Sequence, residues 1–259
     1  MMNRRATLAL ILLVAIGSSP ARAADPGAMA TARRALQAAV NHADPAALMQ
    51  ARARFQALSS AEPRSAALHD WVAVATWRTV PLLHDRVQAE RLCQDGLDHC
   101  EAALLLERRS GLTHAIKGAL LGLMIGYRPG EMMSLGMAMG QEFGQALGAD
   151  PKDPRIWLLD GINTLYKPES FGGGPAVARE QLQKAAALFA ATPPADSTAA
   201  DWGHDDTLLW LGRAVLAQKD SAAAESLYAR ALEVNPDNGW VKNSLLPQLR
   251  KARGGTGRP

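Results

Sequence analysis

The sequence predicts an all-α fold, a stack of antiparallel helical hairpins. Three observations carry this expectation. Nearly every segment between turn signals places its apolar residues at helical period. No stretch alternates apolar and polar residues with the β-branched enrichment of strands. Alanine and leucine dominate, and aromatic residues make up only 5% of the chain.

The first 23 residues read as a signal peptide rather than as part of the fold. Arg4 and Arg5 precede an apolar stretch from Leu8 to Ile16, and Ala21-Arg22-Ala23 supplies the small-x-small cleavage pattern. That stretch is shorter than the roughly 20 residues a bilayer requires. The mature chain is expected to begin near Ala24, in a periplasmic or secreted setting. Export also resets the charge. The chain carries 28 Lys+Arg against 25 Asp+Glu, and losing Arg4, Arg5 and Arg22 leaves 25 bases against 25 acids. No sustained basic face remains, so nucleic acid is not an expected partner.

Residues 24–250 read as one helical domain. Residues 26–60 form a first hairpin, turning at Ala43-Asp44-Pro45. Trp71, Val74 and Ala75 pair with Gly96, Cys100 and Ala103 in the next. Cys93 and Cys100 are seven residues apart, which on one continuous helix separates their Cα atoms by about 10.5 Å. A disulfide tolerates less than about 7 Å, so two buried thiols are expected unless the helix breaks at Asp95-Gly96. His114, Gly118 and Leu121 begin a further unit, closed by Phe143, Ala146, Leu147 and Pro151.

The clearest repeats are 151–190 and 205–238. The latter is a 34-residue unit with Leu208, Leu211, Gly212 and Val215 on its first helix, and Ala224, Tyr228 and Ala231 on its second. Pro236 closes it. In the former, Trp157 and Gly161 precede Ala178, Leu182 and Ala185. Its two small residues stand five positions farther apart, because Tyr166 to Pro175 is inserted between the helices. Residues 240–250 read as a capping helix with Leu245, Leu246 and Leu249 inward, and 251–259 as a disordered tail.

This spacing of small and large residues, closed by proline, resembles the tetratricopeptide pattern. Over residues 64 to 250 the chain is similar to divergent tetratricopeptide proteins exported by bacteria. Phe171-Gly172-Gly173-Gly174, Trp202-Gly203 and Gly239-Trp240-Val241 resemble features of a subgroup without settled activity. A looser resemblance is to the helical-repeat component of tripartite solute transporters. The resemblance implies a right-handed superhelix whose first helices line a concave groove, and a scaffolding role.

Helical phase then assigns Arg155, Leu158, Ile162 and Leu165 of one unit, and Asp206, Leu209, Arg213 and Leu216 of the next, to that groove. Arg155 and Arg213 are expected to clamp a carboxylate, for which guanidinium geometry is suited. The triple glycine at 172–174 precedes a helix whose N-terminus suits an anion, yet no Gly-Lys-Ser/Thr follows. A tight connection that folds Tyr166 and Phe171 onto the stack is the favoured reading.

Glycines recur at every fourth position in two segments, Gly118, Gly122, Gly126 and then Gly136, Gly140, Gly144, Gly148. Each costs about 1 kcal/mol in a helix relative to alanine, so close backbone packing along both ridges is expected. Both segments fall short of 18 uninterrupted apolar residues, so membrane insertion is not expected. Met124, Met132, Met133, Met137 and Met139 crowd the same pair. With no Cys or His interleaved, they read as gap fillers rather than as a Cu(I) site.

No nucleophile elbow, metalloprotease or phosphate-binding motif is present. The expected function is therefore non-catalytic: a periplasmic interaction module binding a peptide or protein in its groove, without metal or cofactor. The alternative is a small-ligand-binding component working with a transporter.

Overall fold

The computed structural model describes residues 26–191 and 202–255. Eleven α-helices and no strand occur among these residues. They are α1 (Pro26–His42), α2 (Pro45–Ala61), α3 (Ala66–Thr79), α4 (Arg86–Leu106), α5 (Gly111–Tyr127), α6 (Met132–Ala149), α7 (Pro154–Tyr166), α8 (Pro175–Ala191), α9 (His204–Ala217), α10 (Ser221–Val234) and α11 (Leu246–Gly255). The signal-peptide reading falls on residues outside the described ones. The terminal helix is entered through a π-helical turn, Val241–Leu245, and runs to Gly255, beyond the expected boundary at 250.

Local chemistry sets the boundaries. Asp44, Asp85, Asp153 and Asp220 each accept backbone N–H groups at the start of α2, α4, α7 and α10. Ser110 does the same for α5. These caps satisfy donors that a helix start leaves unpaired. Pro45 and Pro154 occupy first-turn positions, where no N–H is needed.

Consecutive helices pack on one another, α6 and α7 only slightly, and the first helices of successive hairpins also meet: α3 on α5, α5 on α7 and, slightly, α7 on α9. Small residues let the partners approach. A Cβ added to Gly161 would lie 2.7 Å from the Leu182 side chain, and one on Gly212 would lie 2.5 Å from the Tyr228 ring. The repeat spacing marks all four residues, and in the last unit it is Tyr228 that meets Gly212 of its own hairpin. α4 is unbroken through Gly96, and Cys93 and Cys100 are free, buried thiols. Burial pushes Cys93 up to about 12 and Cys100 well above its ordinary value.

Helix α6 departs from the pattern. Second helices elsewhere pack against the next hairpin, but α6 rests almost wholly on α5 and barely touches α7. Phe143 lies against Gly118, and Glu142 accepts from His114 Nδ1 (2.6 Å) and Lys117 Nζ (3.0 Å). The expected close packing of the glycine ridges holds only in part: an added Cβ on Gly118 would meet Phe143 and one on Gly122 would meet Asn163, whereas Gly126 and the α6 glycines Gly136, Gly140, Gly144 and Gly148 have no atom within 4 Å of one. Met124 and Met139 fill the core, whereas Met132, Met133 and Met137 are exposed and fill no gap.

The stack curls until its two ends meet. Asn235 Nδ2 donates to Asn41 Oδ1 at 2.9 Å, joining the turn after α10 to the end of α1. Gly239 is so close that an added Cβ would collide with the Asn41 carbonyl oxygen. Across the interior, Arg78 of α3 forms a bidentate pair with Asp206 of α9, while the Trp77 and Trp202 rings lie 6.1 Å apart.

Candidate binding surface

The closure changes what the groove residues can do. Leu158, Leu209 and Ile162 are buried, and Asp206 is buried against Arg78. Leu165 and Leu216 are half-buried. Near these side chains Arg78 of α3 reaches Asp206 and the Trp77 ring meets Trp202, so the buried ones among them present no open surface. The physical reason is curvature: inward side chains bury one another once the superhelix shuts.

The arginine clamp is also corrected. Arg155 is held by Asp153, which caps its own helix, through contacts of 2.9 and 2.6 Å. It lies over Trp202 at the beginning of α9, 5.9 Å from the ring centre. Arg213 is the tenth residue of α9, about 13 Å farther along the axis at 1.5 Å per residue. The two guanidinium groups thus lie toward opposite ends of α9, each against its own aromatic partners.

Arg213 instead sits among three aromatic rings. Its guanidinium carbon is 4.5 Å from the centre of Trp210, 5.2 Å from Trp240 and 5.8 Å from Tyr166. The rings brace one another edge to face, Tyr166 on Trp210 at 6.0 Å and Trp210 on Trp240 at 5.5 Å. Cation–π attraction holds such a guanidinium in place, yet its N–H groups meet no hydrogen-bond acceptor among the described residues. Tyr166 is 62% exposed and Trp240 37%. The surface thus offers a fixed cation with unused donors, ringed by partly exposed aromatic faces.

Three separate elements build it. Tyr166 ends α7, Trp210 and Arg213 stand three residues apart on one face of α9, and Trp240 follows the turn after α10. The neighbouring inserted loop is rigid. Gly172 and Gly174 take φ of +78° and +96°, conformations that favour glycine. The amides of Gly172, Gly173 and Gly174 donate to the carbonyls of Glu169, Pro168 and Thr164 at 2.9–3.1 Å. With those donors spent, the triple glycine is a tight connection and not an anion cradle. It does not fold Phe171 inward, for Phe171 is 55% exposed.

A second concavity, a shallow open cleft between α2 and α4, is lined in part by Arg52, Gln56, Val87, Gln88 and Asp95. Arg52 there is already engaged. It donates to Thr76 Oγ1 at 2.8 Å and Gln56 Oε1 at 3.1 Å and pairs with Asp95. Asp95 is thereby committed to Arg52, while His99, four residues on along α4, turns toward His69. Among the described residues no helix is long and apolar enough to cross a membrane.

No protein-family model matches the chain, and no curated protein matches it either. Among solved structures the chain is similar to the HusA haemophore from Porphyromonas gingivalis, with a TM-score of 0.60 and 21% identity, over 71% of this chain and 90% of that one. At that identity the likeness is one of fold: an all-α helical-repeat stack.

Proposed function

We propose that this chain is a non-catalytic, extracytoplasmic binding protein that docks an apolar, carboxylate-bearing peptide segment of a partner on the Tyr166–Trp210–Trp240 surface. The observation that carries the reading is Arg213, a guanidinium fixed by three rings with its N–H groups unspent. Bidentate pairing with a carboxylate is the contact such a group makes best. Exposed aromatic faces around it supply the apolar area typical of interaction hot spots. The filled interior, with Arg78 and Asp206 buried, moves the docking site from the groove to this outer surface.

A second reading is favoured by the likeness to a haemophore. A flat, apolar ligand bearing carboxylates, such as haem, would use the same elements: rings to stack on and Arg213 for an acid group. Native mass spectrometry of the mature protein gently purified from its own envelope extract separates the two. A co-purifying peptide or protein supports the first reading; a stoichiometric small-molecule adduct, reproduced by haemin titration, supports the second. In either case Arg213→Ala combined with Trp240→Ala should abolish the association while circular dichroism shows the helical fold retained. Association unchanged in that variant would remove this surface from consideration.

A further inference from the structure

Thirty residues apart in sequence, His69 of α3 and His99 of α4 face each other with Nδ1 atoms 2.8 Å apart and ring centres 5.1 Å apart. The hydrogen bonds settle the tautomers of the neutral pair. His69 Nε2 lies 3.1 Å from the carbonyl oxygen of Pro63, which only accepts, so Nε2 carries the His69 proton. His69 Nδ1 therefore presents a lone pair, toward which His99 Nδ1 donates. Ser59 Oγ, from α2, stands 3.3 Å from the same nitrogen. His99 Nε2 makes no hydrogen bond among the described residues, so it can take up the proton if Nδ1 gives it up. Both imidazoles are half-buried and within reach of water.

We propose that His69 and His99 form a binding site for a divalent first-row transition-metal ion, with both Nδ1 atoms as ligands. Imidazole nitrogen is a preferred donor for zinc and copper. Two nitrogens each about 2.0–2.1 Å from a tetrahedral ion stand roughly 3.3 Å apart, so the pair needs to open by only about half an ångström. Binding moves the His99 proton from Nδ1 to Nε2, leaving the net proton count unchanged. The backbone carbonyl of Pro63 orients His69 by accepting from the nitrogen opposite the metal, the arrangement that metal-binding histidines commonly use. No third His, Cys, Asp or Glu joins them in one ligand group among the described residues. Ser59 Oγ and water complete the coordination. The site ties α2, α3 and α4 together, well away from the Arg213 surface, and does not depend on what that surface binds.

The test uses the mature chain with Zn2+ alone in calorimetry and one equivalent of Cu2+ in electron paramagnetic resonance. We expect one Zn2+ per chain and a rise in Tm on binding, with affinity falling at least tenfold in His69→Gln and in His99→Gln. The Cu2+ spectrum should show two bound nitrogens, and one fewer in each variant. Absent heat, or heat that persists in the His69→Gln/His99→Gln double variant, would overturn the proposal. So would a Cu2+ spectrum of the native chain with fewer than two nitrogens, a readout that needs no variant to fold.

Discussion

Arg78 and Asp206, 128 residues apart, meet across the interior of the stack, with Arg78 Nη1 donating to Asp206 Oδ1 at 2.8 Å and Nη2 to Oδ2. The Arg78 guanidinium also lies over Trp77 at 4.5 Å and Trp202 at 5.5 Å. Each side chain is about nine-tenths buried. A pair so placed is hard to break from one side, because the remaining charge stays in a water-poor interior. Arg78→Ala or Asp206→Ala alone should destabilise the fold by about 3–5 kcal/mol. The double variant Arg78→Met/Asp206→Leu should recover most of that loss, and urea denaturation of the three proteins checks it. Equal losses in single and double variants would show that the charges contribute beyond mutual neutralisation.

A second expectation concerns pH. Burial raises the Asp160 carboxyl to about 6, with Lys167 and Thr164 acting against the rise. A folded pKa above the unfolded value means that the folded chain binds more protons between about pH 4 and 6. Stability from this residue is therefore lost as pH rises through that window and stays lost above it. Asp160→Asn keeps an acceptor for Gln181 Nε2, now 2.7 Å from Asp160 Oδ2. It should stabilise the protein at pH 8 by on the order of 2 kcal/mol and leave it unchanged near pH 3.5. Thermal melts at the two pH values measure the difference.

Glycine substitutions should divide sharply. Gly140 and Gly144 of α6 are exposed, with nothing within 4 Å of an added Cβ. Alanine at each should raise stability by up to about 1 kcal/mol. Gly161→Ala and Gly212→Ala force a Cβ into Leu182 and Tyr228 and should lower it by about 1–3 kcal/mol. Calorimetric Tm values of the four variants decide it.

The attachment of α6 gives another. Glu142 accepts from both His114 and Lys117 across the α5–α6 contact, and α6 has little other support. Glu142→Ala should accelerate amide hydrogen exchange throughout α6 while leaving α9 and α10 protected. Uniform exchange across all helices would instead mean that α6 is locked to the global unfolding unit.

These expectations also mark what was readable in advance. The last two hairpins were legible because small and large residues recur in them at repeat spacing, though the contact of Tyr228 with Gly212 of its own unit is seen only in the packing. The two thiols followed from helix geometry alone. The closure was not legible, since the Asn41–Asn235 and Arg78–Asp206 contacts depend on curvature accumulated over the whole stack. The proposed surface was half visible. Arg213 and Tyr166 stood out by phase or by the insertion, but Trp210 and Trp240 join them only through packing of separate units. The His69–His99 pair lay hidden for the same reason, its members standing on different helices.

The meeting of Asn41 with Asn235 and Gly239 has a consequence for the ancestry of the chain. An open array tolerates the gain or loss of a unit, because each repeat needs only its neighbours. Here an added hairpin would part the two ends, and a deleted one would drive them into each other. The number of units is thus fixed by geometry, so this lineage can diversify through its loops and surface side chains but not through its length.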